Sequence, residues 1–186
     1  MLSEIEIKAI VRDRVSLMQK LSEKGCVFSK TKTQDDAVFV QNTGPMDTFL
    51  SNSVFLRIRI QDGAKVILTA KRPKNVRSEN LVKREHEVTV DSAEEARGIL
   101  DLMGYQEQEA ARVKKVRQTA KLGEYEICID EVEGLGSFIE VERMADESEA
   151  PEILKQIEEF LAELGVQPED KVSKGYDILM LEKASE

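Results

Sequence analysis

The chain has 186 residues, 34% of them charged, and a net charge of -9. An acidic chain is a poor general binder of nucleic acid, because contacts to phosphate supply most of that affinity. No apolar run approaches the roughly 18 residues of a membrane span, the start lacks a signal-peptide core, and a cytoplasmic protein without a membrane partner is expected.

Residues 4–8, Glu4-Ile5-Glu6-Ile7-Lys8, alternate charged and apolar side chains. On a β-strand this places Glu4, Glu6 and Lys8 on one face and Ile5 and Ile7 on the other. Asp13 can cap a helix whose stripe is Val15, Leu17, Met18 and Leu21, stopped by Gly25. Residues 27–41 read as strand, with a polar section at 30–36. Residues 42–53, with Gly44 and Pro45, read as loop.

Residues 54–60 form a strand with Arg57 and Arg59 on one face. Asp62-Gly63 is a hairpin signal, and the return strand is 65–71, ending in Lys71. Residues 73–80 read as a basic loop that can steer an anion. In strand 82–90, Lys83, Glu85 and Glu87 alternate with Arg84, His86 and Val88. Ser92 and Glu95 make a capping box for a helix burying Ala96, Ile99, Leu100 and Met103.

Strand 112–121 puts Lys115 and Arg117 on one face. Strand 125–131 sets Tyr125, Ile127 and Ile129 against Glu126, Cys128 and Asp130. Strand 138–143 sets Glu140 and Glu142 against Ile139 and Val141. A last clear helix starts near Ser148 and Pro151 and buries Ile153, Ile157, Phe160, Leu161 and Leu164. Residues 172–182 are apolar, and periodicity does not decide between strand and helix there.

About eight hairpin-joined strands with helices predict a single α+β domain over 1–186, closed as an antiparallel barrel with the helices packed outside. The helix stripes match the apolar strand faces, so the charged faces turn inward. Buried charges persist only when paired, hydrated, holding metal or holding a charged ligand. Carboxylates without nearby His or Cys suit Mg2+ or Mn2+. Basic side chains beside them suit a polyanion. The pattern describes a metal-assisted phosphate site, and with no glycine-rich phosphate loop the side chains must do the holding. His86 falls on the outer face. Cys26 and Cys128 read as buried free thiols, and neither has a partner at metal-ligand spacing.

Glu4-Ile5-Glu6-Ile7-Lys8 resembles the ExExK signature of the CYTH superfamily, the triphosphate tunnel metalloenzymes. Arg57-Ile58-Arg59, Leu68 to Lys71, Lys83 to Glu87, Lys115 to Arg117 and Asp130 to Glu142 follow in a similar order. The last stretch most resembles the class IV adenylate cyclase branch. The resemblance implies an eight-stranded tunnel. It implies that Glu4, Glu6, Asp130, Glu140 and Glu142 hold metal, and that Lys8, Arg57, Arg59, Lys71, Lys83, Lys115 and Arg117 hold the triphosphate. Lys8, Arg117 and Glu140 are the catalytic candidates, and Glu85 and Glu87 orient basic neighbours. The implied partner is ATP or another triphosphate, with a homodimer permitted. Val38 stands where some hydrolytic relatives have Tyr, and Gly175 stands for Ser in the tail motif before Tyr176. The implied activity is ATP to cyclic AMP and pyrophosphate. The alternatives are hydrolysis of tripolyphosphate, thiamine triphosphate or a nucleotide, and binding without turnover.

Overall fold

The computed structural model describes residues 2–41, 54–73 and 82–186. The side chains of Leu2, Arg72, Pro73, Val82, Lys83 and Arg84 are not among those described. The loop expected at 42–53 and the basic loop from residue 74 onward, with Lys74 and Arg77, lie outside the described residues. The chain divides into two compact units. One comprises 1–31, 79–82 and 116–173, the other 32–78, 83–115 and 174–186.

In the first unit, β1 (Leu2–Ile10) pairs antiparallel with β9 (Gly136–Asp146), and β9 with β8 (Tyr125–Val132). A two-residue strand, β10 (Lys171–Val172), pairs with β1, and β7 (Val113–Leu122) pairs with β8. The odd positions of β1 give Ile5, Ile7 and Ala9 to the core, and β8 and β9 add Ile127, Ile129, Ile139 and Val141. Two helices cover this apolar face. Helix α1 (Arg14–Glu23) brings Leu17 and Leu21, and α3 (Ala150–Glu163) brings Ile153, Ile157 and Leu161. Asp13 caps α1 as expected, accepting from the Ser16 N–H at 3.0 Å. Val15 does not join the stripe and is 81% exposed. It sits about half a turn round the helix from Leu17, and only the Leu17–Leu21 side faces the sheet.

In the second unit, the order is β5 (Val82–Val90), β4 (Lys65–Pro73), β3 (Phe55–Gln61), β2 (Lys32–Gln41), all antiparallel, with the short β6 (Tyr105–Glu107) also on β2. Residues 27–31 are not strand, so β2 starts later than its sequence suggests. The hairpin at Asp62-Gly63 is present. Three residues, 62–64, connect the paired Gln61 and Lys65, and Asp62 at φ 52° and Gly63 at φ 68° are both left-handed, with the Ala64 N–H donating to the Gln61 carbonyl at 3.1 Å. The Asp62 carboxylate accepts from the Thr33 N–H at 2.8 Å and fastens the turn to β2.

Helix α2 (Ala93–Leu102) is capped by Ser92 and packs Ala96 and Leu100 on Ala37, Phe39 and Ile58. Ile99 and Met103 were expected in this core, but each is 57% exposed. Ala96 and Leu100 are four apart and define the buried line. Ile99 and Met103 form a second such line, rotated by about 60°. The undecided tail is a helix, α4 (Tyr176–Ala184). Its Ile178 and Leu181 pack with Phe55 against Val38, Val40 and Ala111. Val38 and Val40 share the β2 face that carries Asp36, whereas Ala37 and Phe39 face α2. The second unit therefore has a helix on each face of its sheet, and α4 takes the charged one.

The α+β class holds, with an antiparallel sheet and helices. Among the described residues, no helix is long and apolar enough to cross a membrane.

Candidate functional site

The charged face of the first unit is set by strand register. Glu6 stands opposite Glu142, and Glu142 opposite Glu126. One step along, Lys8 stands opposite Glu140, and Glu140 opposite Cys128. Period-two alternation holds all of them on the side away from α1 and α3. Glu6, Lys8 and Glu140 are buried, and Asp130 is 0% exposed.

These side chains sort into two groups. Glu4, Glu6 and Glu142 bring carboxylate oxygens within 4.8 Å of one another. Glu140 and Asp130 instead meet bases. Lys8 Nζ lies 3.3 Å from Glu140, Arg117 Nε donates to Asp130 at 2.6 Å, and Arg117 also bridges to Glu140. The five metal-ligand candidates therefore divide into a converging trio and an ion-paired couple.

Burial, then the neighbouring charges of Glu140 and Glu6, push the Glu142 carboxyl up to about 7. Arg117 is opposed by its own burial, but Glu140 and Asp130 outweigh that and hold it protonated. Two side chains here escaped the sequence reading. Glu126 and the Cys128 sulfur come within 4.8 Å of Glu142 as a second donor group. The premise that no Cys lies near the carboxylates is thus corrected. Burial raises the Cys128 thiol far above its ordinary range, so it stays protonated. The parity of Glu126, Cys128 and Asp130 was visible. Which β9 residue each meets depends on the turn between the strands.

The charged face of the second unit is built on the same alternation with opposite partners. Asp36, missed from the sequence, is opposite Arg59 and takes a two-point contact from it at 2.6 and 2.7 Å. Arg57 lies 3.8 Å from Asp36 and donates to Glu85 at 3.0 Å, Glu87 at 2.9 Å and the Thr69 hydroxyl at 3.1 Å. Lys71 pairs with Glu85. Burial raises the Asp36 pKa, but Arg59, Arg57 and Lys115 outweigh it and hold the group at about 2. Arg57 Nε is buried without a hydrogen-bond partner among the described residues. Lys115 faces the ring of Tyr176 with its ammonium. Lys83 lies on β5 opposite Pro73, and its side chain is outside those described. His86, on the other face of β5, is exposed, and Cys26 and Cys128 are free and buried.

Among the described residues, the interactions on the first face involve six carboxylates (Glu4, Glu6, Glu126, Asp130, Glu140, Glu142) and two bases, Lys8 and Arg117. Those on the second involve four bases (Arg57, Arg59, Lys71, Lys115) and three carboxylates, Asp36, Glu85 and Glu87. Three converging carboxylates form an oxygen donor set of the kind that hard divalent cations take. A sheet face with surplus guanidinium and ammonium groups suits phosphate oxygens.

The chain is similar in sequence to the Methanocaldococcus jannaschii protein named "Putative adenylate cyclase MJ0240", 32% identical over 93% of this chain and 95% of that protein. Among solved structures, the PH1819 protein of Pyrococcus horikoshii superposes with a TM-score of 0.81 at 28% identity, covering 97% of this chain and 99% of that one. A Hippeastrum protein, described as a "putative adenylyl cyclase" that reveals a dominant triphosphatase activity, shares the fold with a TM-score of 0.64 at 21% identity, over 99% and 96% of the two chains. The CYTH domain model matches residues 2–176, which takes in every charged strand described above, and the chain belongs to that family.

Proposed function

We propose that the protein is a divalent-cation-dependent enzyme acting on a triphosphate, as a single domain over 1–186, and that its reaction is the cyclisation of ATP to cyclic AMP and pyrophosphate. The observation that carries this reading is the convergence of Glu4, Glu6 and Glu142. Like charges held this close raise each other's proton affinity, and a divalent cation relieves them. The donor set is all oxygen and fits Mg2+ or Mn2+. Such an ion, when bound, neutralises phosphate charge and lowers the pKa of an oxygen it touches.

The protein's own groups do the rest. Lys8 and Arg117 present positive charge beside the trio, and Glu140 holds both in place through its two carboxylate oxygens. Lys8, Arg57, Arg59, Lys71, Lys83, Lys115 and Arg117 hold the triphosphate, and Asp130 fixes the Arg117 fork rather than binding metal first. In the cyclase reaction the ribose 3′ hydroxyl gives its proton to water as its oxygen bonds to the α-phosphorus. The bond from that phosphorus to the bridging oxygen breaks, and pyrophosphate leaves with the oxygen.

The choice of cyclisation rests on the archaeal relative's name and on Val38. That residue is packed under α4 in an apolar cluster, so position 38 offers no hydroxyl to a hydrolytic route. The dominant triphosphatase activity in the Hippeastrum protein's description supports hydrolysis as the second reading. Two free, buried cysteines fit a reducing cytoplasm.

The test is to incubate the protein with Mn2+ and, in parallel, ATP, tripolyphosphate and thiamine triphosphate, and to resolve the products. Cyclic AMP with pyrophosphate from ATP is expected. Orthophosphate without cyclic AMP would replace the cyclase with a triphosphatase. Tight binding of all three without product would leave a binding protein.

A further inference from the structure

Tyr176 opens α4 and is only 7% exposed. The Lys115 ammonium stands 4.9 Å from the centre of its ring. Lys115 is itself 6% exposed, and its charge helps to hold the Asp36 carboxyl down. It therefore belongs to the same charged face as Arg57 and Arg59. The ring is held there by α4, whose Ile178 and Leu181 are packed on Val38 and Val40. An apolar clamp thus presses an aromatic ring onto a charged sheet face, against the ammonium of a phosphate-binding candidate.

Lys115 brings an aromatic contact to a face whose other bases pair with carboxylates. Arg57, Arg59 and Lys71 are fixed by carboxylates, which cancel charge and occupy N–H donors. An aromatic face attracts a cation through its quadrupole. That contact orients the ammonium without cancelling its charge or directing an N–H into an oxygen. Because both groups are buried, the attraction is larger than at an exposed site.

We propose that Tyr176 is a positioning residue for triphosphate binding: its ring, rather than its hydroxyl, sets the Lys115 ammonium on the anion-receiving face of the second unit. The proposal rests on the triphosphate reading above and names one more residue that serves it.

The experiment compares wild type, Tyr176→Phe and Tyr176→Leu in Mn2+-dependent turnover of ATP and tripolyphosphate, with calorimetric binding of tripolyphosphate alongside. Tyr176→Leu should raise KM and Kd about tenfold. Its kcat should stay within about twofold, and Tyr176→Phe should stay within about twofold of wild type throughout. The Lys115 ε-methylene protons, assigned with Lys115→Arg, should be shifted upfield by the ring in wild type and Tyr176→Phe and should return to the ordinary lysine position in Tyr176→Leu. Fluorinated phenylalanines at position 176 keep the shape while weakening the quadrupole, so KM should climb with each added fluorine even if the leucine variant fails to fold.

A lower melting temperature with unchanged KM in Tyr176→Leu, or a KM indifferent to fluorination, would overturn the proposal and leave packing as the residue's role. A phenylalanine variant as impaired as the leucine one would move the role to the hydroxyl and also overturn it. Wild type that neither binds nor turns over tripolyphosphate or ATP would sink the triphosphate reading itself, before any variant is compared.

Discussion

Two carboxylates raised on the same strand pattern end with opposite acidity. Glu142, in the first unit, is pushed up to about 7, and Asp36, in the second, is held at about 2. Both are largely buried and both alternate with core residues along their strands. The difference is what the register sets opposite them. Glu142 meets Glu6 and Glu126 across its neighbouring strands, whereas Asp36 meets Arg59. Directly opposed side chains dominate a sheet face, so like pairs store repulsion and unlike pairs cancel it. One face is left wanting positive charge, and the other is assembled from bases that carboxylates hold in place.

The largest test of this contrast is Arg59→Ala. Asp36 then keeps a buried charge without its two-point partner, and breaking such a pair costs about 3–5 kcal/mol. The acid limb changes as well. A carboxyl lowered from 3.8 to about 2 stabilises the fold above the unfolded value, and that stability is lost as pH falls from 3.8 through 2. Urea denaturation of wild type should show this loss, and Arg59→Ala should not. A cost under about 1 kcal/mol at pH 7 would mean that the pair is solvated rather than buried.

Glu142→Gln is expected to act with the opposite sign. The native carboxyl is raised from 4.5 to about 7, so its favourable contribution is complete below 4.5 and is lost as pH rises through 7. A neutral amide escapes that loss. At pH 8 in chelator the variant should be more stable than wild type by up to about 3 kcal/mol. It should also lose divalent-dependent turnover by at least about 10–100-fold, the range seen when only outer partners of a metal site are removed. Thermal melts from pH 5 to 8 read the first effect and Mn2+-dependent product formation the second. Parallel pH profiles in the two proteins would show that the strained carboxylate is another one.

Much of this was legible in the sequence because period-two alternation survives folding. Glu4 to Lys8, Arg57 to Arg59 and Glu140 to Glu142 fall on charged faces, and Asp62-Gly63 makes its turn. Partner choice was less legible. Asp36 and Glu126 were missed because a carboxylate's significance lies in the residue across the strand, and turn lengths set that. Asp130 and Glu140 look like metal ligands by type, yet their carboxylates pair with Arg117 and Lys8. Helix faces were read one step too wide, so Ile99 was counted with Leu100, although only the Ala96–Leu100 line meets the sheet. The tail was undecided because its apolar run has no clean period. What fixes α4 is the pair of valines beneath Ile178 and Leu181, which lie far away in sequence.

The smallest expected effect sharpens the comparison most, because its sign separates the two faces. Glu87 accepts from Arg57 at 2.9 Å and from the Thr69 hydroxyl at 2.9 Å, yet its side chain is 45% exposed. Exposed pairs contribute about 1 kcal/mol or less, and Arg57 keeps Glu85 and Thr69, so Glu87→Gln should leave stability within that range. On the proposed reading, Arg57 then offers more uncancelled charge to a triphosphate. KM for tripolyphosphate should fall about two- to threefold at low ionic strength, and the gain should fade as salt screens it. Removing a carboxylate would thus weaken the first face and improve the second. A KM that rises instead would mean that Glu87 matters more for aiming the Arg57 fork than for offsetting its charge, and the second face would have to be described as pre-aligned rather than charge-balanced.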